Sequence, residues 1–87
     1  MKIKENFALR QVAGTWVVLP LAEETLNFNG MLTLNETGVF LWHLLEKGST
    51  REDLATALTN EYEVSFAEAL ADVDAYLARL KQVGCLE

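Results

Sequence analysis

Cysteine and histidine each occur once, as Cys85 and His43, and that scarcity removes whole classes of chemistry. A single thiol forms no internal disulfide, and it completes neither a thiolate metal cage nor a CxxC redox pair. The histidine has no second histidine, cysteine pair or adjacent serine with which to build a zinc site or a nucleophilic triad. It falls on a helical stripe with Glu36 and Lys47, which is a solvated face. Glycine is sparse too. Neither Gly14 nor Gly30 belongs to a GxGxxG or phosphate-loop pattern, so nothing cradles a nucleotide. Asp72 and Asp74 lie two apart on a helix and point in different directions, so they are not a working carboxylate pair. No enzyme, no cofactor and no metal site is expected.

Long apolar runs are missing as well. Nothing approaches the roughly 20 residues that span a bilayer, and the charged start Met1-Lys2-Ile3-Lys4-Glu5 is not followed by a signal-type apolar segment. A soluble, cytoplasmic protein is the expectation. Positive charge is short: seven lysines and arginines face thirteen aspartates and glutamates, a formal net charge of −6. Lys2, Lys4 and Arg10 balance Glu5, Glu23 and Glu24 within residues 1–34, so the deficit lies in the remainder. A field of this sign repels phosphate backbones and favours cationic partners, fading beyond about 10 Å at ordinary salt.

What is present is a globular composition, 51% apolar over 87 residues, which suits one domain with one core. Asn27–Leu45 organises it, because there a strand pattern passes into a helix. Leu32-Thr33-Leu34 alternates with the period of two of a half-buried strand. Asn35 then suits an N-cap and Glu36 the positive end of a helix dipole, so a helix starts at Glu36. Val39, Phe40, Leu41, Trp42, Leu44 and Leu45 make it apolar on most sides, which a surface helix does not sustain.

Before it, Phe7–Val12 and Thr15–Leu19 form a hairpin across Ala13-Gly14, and Pro20 ends the run. Leu21–Glu24 is a connection. Thr25–Phe28 and Leu32–Leu34 are read as a second extended pair. A three-residue loop, Asn29-Gly30-Met31, would set Phe28 opposite Leu32 and Leu26 opposite Leu34, gathering all four on one face. After the core helix, Lys47-Gly48 is a stop. Thr50 with Asp53 and Ser65 with Glu68 have capping-box spacing, opening two further helices. Leu54, Leu58 and Tyr62 line the first, while Phe66, Leu70, Val73, Leu77 and Leu80 form the inward stripe of the second. Gly84 ends it, and Cys85-Leu86 folds back over the core.

The fold class is therefore α+β and winged helix-turn-helix-like, with an N-terminal antiparallel sheet of hairpins followed by three helices, all in a single domain 1–87. Three functions suit that shape. A DNA-binding regulator would use Ser65–Val83 as its recognition helix, yet Glu68, Asp72 and Asp74 there oppose phosphate. A structural homodimer would cover an exposed strand. A peptide-binding module uses features that the others leave idle. With strands ordered as in sequence, Leu32–Leu34 is an edge to which a peptide adds as one more strand, beside the last helix. Asp72, Tyr76 and Arg79 share one flank of that helix.

The runs LTLNETGVFLWHLLEKGSTREDL and DVDAYLARLKQVGCLE resemble the PqqD family of small peptide chaperones. The matching features are Leu34-Asn35-Glu36-Thr37, the Gly48-Ser49 step, and Asp72-Val73 through Tyr76-Leu77, Leu80, Gly84 and Leu86. The resemblance implies a non-catalytic recognition element, without a cofactor of its own. It would hold the leader of a ribosomally made precursor peptide as an added strand and deliver it to a modifying enzyme, commonly a radical S-adenosylmethionine enzyme with iron–sulfur clusters. Carried over, the peptide edge is Met31, Leu32, Thr33, Leu34 and Asn35, and the helical wall includes Asp72, Val73, Tyr76 and Arg79. The segment Leu21–Gly30 is longer than expected of members devoted to the quinone cofactor PQQ, which points to a different peptide pathway.

Overall fold

The hairpin turn is tighter than its one glycine suggests: Ala13 and Gly14 both take positive φ, 51° and 81°. Such a pair matches the right-handed twist of the strands it joins, and here it sets Val12 opposite Thr15. The computed structural model describes residues 1–21 and 32–87. Within them β1 (Phe7–Val12) and β2 (Thr15–Pro20) are antiparallel, and β3 (Leu32–Leu34) adds to β2 in the order β1-β2-β3. Pro20 is the last residue of β2 rather than the first beyond it. It stands opposite Phe7, past the Val18–Leu32 pair where β3 leaves β2, so its missing donor costs no bond to β3.

The expected pairing of Thr25–Phe28 with Leu32–Leu34, and its register, lie outside the described residues. The partner that β3 takes is β2, with Trp16 opposite Leu34 and Val17 opposite Thr33. Among the described residues the strands follow chain order, as expected, and β3 keeps one edge without a strand.

Three helices follow: α1 (Glu36–Lys47), α2 (Arg51–Glu61) and α3 (Phe66–Val83). Each opens on a capping side chain, with Asn35, Thr50 and Ser65 accepting from the amides of Gly38, Asp53 and Glu68. Gly84 closes α3 in the left-handed conformation, at φ 90°. Leu9, Val18, Leu32 and Leu34 bring one sheet face against Leu41, Trp42 and Leu45 of α1 in a single core. Leu54, Ala55 and Leu58 of α2 belong to it, and so do Ala69, Val73, Tyr76, Leu77 and Leu80 of α3. No helix among the described residues is long and apolar enough to cross a membrane.

The inward stripe of α3 differs from the expected one at its start. Phe66 is exposed, and Ala69 is fully buried in its place. A small residue on the buried face lets a helix sit close to its neighbour, while a phenylalanine in the first turn overshoots that contact. At the other end Cys85 and Leu86 cover the core as expected, and they fasten the N-terminus. Ile3, itself buried, bridges antiparallel to Leu86, and the Lys4 amide donates to Cys85 at 2.9 Å.

Candidate functional site

The edge of β3 that carries no strand among the described residues and the start of α1 face α3 across a cleft of about 350 Å³, lined by Leu34, Asn35, Thr37, Gly38 and Leu41 on one wall and by Asp72, Ala75, Tyr76 and Arg79 on the other. The second wall is one face of a helix, since positions 72, 75, 76 and 79 recur at intervals of three and four. The first wall depends on a glycine. A Cβ at Gly38 would lie 3.2 Å from Cβ of Leu34 and 3.4 Å from Oδ1 of Asn35, so the first turn of α1 can press on the end of β3 only without a side chain there. Asn35 uses that closeness. Its Oδ1 accepts from the Gly38 amide at 2.9 Å, leaving the side chain committed to the cap.

Two bonds cross from α3 to the other wall. The Tyr76 phenol donates to the Gly38 carbonyl at 2.8 Å, which satisfies a hydroxyl on a residue only 8% exposed. Burial holds that phenol well above its usual value, so it stays neutral and able to donate. Arg79 donates from Nη2 to the Thr33 carbonyl at 3.3 Å, joining the helix to the backbone of the edge strand. That reach places the carbonyl within access of groups in the cleft mouth.

Of the residues expected to form the site, Leu34, Asn35, Asp72, Tyr76 and Arg79 line the cleft together. Thr33 joins them through its carbonyl and carries an exposed side chain. Leu32 and Val73 belong to the core, at 6% and 0% exposure, and they hold the two walls from behind. Met31 lies outside the described residues. Thr37, Gly38, Leu41 and Ala75 line the cleft as well, unforeseen. Ala75 could have been found by its helical spacing from Asp72 and Arg79. Gly38 carried a weaker signal, a glycine three residues beyond a cap.

Elsewhere a few charged side chains have local partners. Arg51 is held by Asp74 through two bonds, one of them 2.9 Å, which ties α2 to α3. His43 is exposed, with Nδ1 at 3.0 Å from Glu46. Asp72 and Arg79 have no ion-pair partner among the described residues.

A sheet edge beside a helix-lined cleft is the arrangement that accepts an added strand. Residues 15–86 match the profile of "Coenzyme PQQ synthesis protein D (PqqD)". The chain belongs to the PqqD family. A comparison with curated proteins returns no match. Among solved structures the PqqD-type fold is similar to "TbiB1 in Complex with the TbiA(beta) Leader Peptide", with a TM-score of 0.79 and 26% identity, covering 100% of this chain and 95% of that one. It is also similar to "Lasso peptide synthetase B1 complexed with the leader peptide", with a TM-score of 0.75 and 26% identity over 97% and 93% of the two chains.

Proposed function

We propose that this PqqD family member is a non-catalytic recognition module. It takes up the leader segment of a ribosomally made precursor as a strand on the free edge of β3, along α3, and presents it to a modifying enzyme. The observation that carries this reading is the strand edge set beside a cleft, in a fold similar over nearly its whole length to two proteins solved with leader peptides.

The magnitudes agree with a transient partner. A few backbone hydrogen bonds at about 0.5–1.5 kcal/mol net each, with a few apolar side chains at about 1.5–3 kcal/mol, act against an ordering cost of about 2–5 kcal/mol. Micromolar or somewhat tighter binding follows. Leu34 and Leu41 offer the apolar floor, and Asp72 and Arg79 supply charge at the rim. The one of these two structures named for lasso peptide synthesis favours a lasso-forming enzyme as recipient over a radical S-adenosylmethionine enzyme, in keeping with a pathway other than that of PQQ. The genes beside this one discriminate: a short precursor frame next to either enzyme supports delivery, and a regulated operon alone supports a DNA-binding role.

The test is a titration of isotope-labelled protein with the leader peptide of that precursor. Amide shifts confined to residues 32–38 and to the Asp72–Arg79 flank support the site. Shifts concentrated on β1 or on the exposed face of α2, with Thr33 unmoved, would sink it.

A further inference from the structure

The bond from Arg79 to Thr33 occupies an acceptor that an added strand would need. We infer that Arg79 is an acid-reading latch, which covers the Thr33 carbonyl in the free protein and turns to a carboxylate side chain of the peptide once a peptide amide has taken that carbonyl. The inference rests on the peptide-binding reading and adds to it the chemistry that the cleft selects.

Three observations carry it. At 3.3 Å the bond is long for N–H to O, so an incoming amide at the usual 2.9–3.0 Å displaces it readily. Second, Arg79 has no carboxylate of its own among the described residues, whereas Arg51, equally a surface arginine near α3, is clasped by Asp74. A guanidinium stays charged throughout and presents a planar fork that fits a carboxylate with two parallel bonds. When a peptide covers it and removes water, an acidic side chain restores what the arginine loses, and a neutral one leaves the charge poorly compensated. Selectivity arises from that penalty on the wrong peptide as much as from the bond to the right one.

The third observation is Asp72, which lines the same cleft two helical turns from Arg79. Seven residues at the helical rise separate them by about 10 Å, close to the length of three residues of extended chain. Asp72 repels a second carboxylate at its own end. The acidic residue of the peptide is thereby assigned to the Thr33 end of the cleft.

The experiment uses a random twelve-residue peptide library displayed on phage and selected on the intact chain. Selected peptides are resynthesised with each position as Glu and as Gln, and affinities are measured for wild type, Arg79→Ala and Arg79→Lys. The Thr33 amide resonance serves as the reporter of edge binding. Wild type is expected to prefer Glu at one position by about fivefold, the upper end for an incompletely buried ion pair. Arg79→Lys keeps part of that preference. Arg79→Ala loses it and binds the Gln form at least as tightly as wild type does, because the carbonyl is uncovered. This crossed pattern is not produced by a residue that merely supports the fold. If peptides shift Thr33 but show no Glu preference, or show one that survives Arg79→Ala, the latch is wrong and the peptide site stands. If no selected peptide shifts Thr33, both readings fall.

Discussion

The phenol of Tyr76 donates a 2.8 Å hydrogen bond to the carbonyl of Gly38, tying the last helix to the first turn of α1 at the floor of the cleft. Tyr76→Phe keeps the ring and removes only the donor. A buried bond of this kind contributes about 1 kcal/mol, so the melting temperature is expected to fall by about 4–8 °C. Peptide affinity should weaken with it, since the two walls are less firmly held. Calorimetry and a binding titration on the variant check both.

Alkaline pH offers an independent check on the same region. Burial pushes the Cys85 thiol up from 9.0 to about 11, and burial holds the Tyr76 phenol well above its usual 10. Both groups are neutral when protonated, and the unfolded chain releases these protons first, so stability is full below about pH 9 and falls as pH rises through the following two units. Melting temperatures of wild type and Cys85→Ala are expected to converge in slope below pH 9. Above it the alanine variant loses less, and Tyr76→Phe loses less from pH 10 upward.

Thr33→Pro tests the edge. Proline at this exposed position of β3 removes one backbone donor and fixes φ, while the core contacts of Leu32 and Leu34 remain. Peptide binding is expected to drop at least about tenfold, the equivalent of about 1.4 kcal/mol, with the helical circular dichroism unchanged. Undiminished affinity would count against strand addition.

Gly38→Ala tests the close approach of α1 to β3. Alanine in a helix ordinarily gains about 1 kcal/mol over glycine. Here its Cβ would meet Leu34 Cβ at 3.2 Å and Leu34 Cδ2 at 3.3 Å, so the strand must shift outward. Overpacking of this kind costs about 1–3 kcal/mol. A net loss of about 1 kcal/mol in urea unfolding, together with weaker peptide binding, is the expected outcome; a gain in stability would mean that β3 yields freely.

The clasp between Arg51 and Asp74 gives the chain a mild acid sensitivity. The hydrogen bonds from Arg51 hold the Asp74 carboxyl below its usual 3.8. Its contribution is present above that value and lost as pH falls through the lower, folded value. Asp74→Asn should therefore be slightly less stable than wild type near neutral pH, and the gap should close as pH falls below the usual carboxylate range. Both side chains are about half exposed, so added salt is expected to narrow the gap too.

Much of this architecture is legible in the residues because its signals are local. Asn35, Thr50 and Ser65 announce helix starts through a side-chain oxygen that accepts from the amide three residues on, and Gly48 and Gly84 announce stops. Non-local features left weaker traces. Ala13 adopts positive φ with no residue signal for it, since the strands on either side enforce the turn. Phe66 fits a helical apolar period yet stays exposed, while the small Ala69, which hydropathy underweights, takes the buried place. The direct pairing of β3 with β2 depends on residues far apart in the chain, and no period reveals it. The wall of the cleft on α3 was readable as a helical flank. The bond from Arg79 to Thr33 was not, because side-chain reach across a groove is a property of the assembled fold.

The bridge between Ile3 and Leu86 has a further consequence. With Lys4 donating to Cys85 and the Glu87 amide donating to Lys2 at 2.9 Å, polypeptide enters and leaves this unit side by side. A host protein could carry it as a plug-in between two neighbouring points of its own surface, and the host would need no spacer to close the gap.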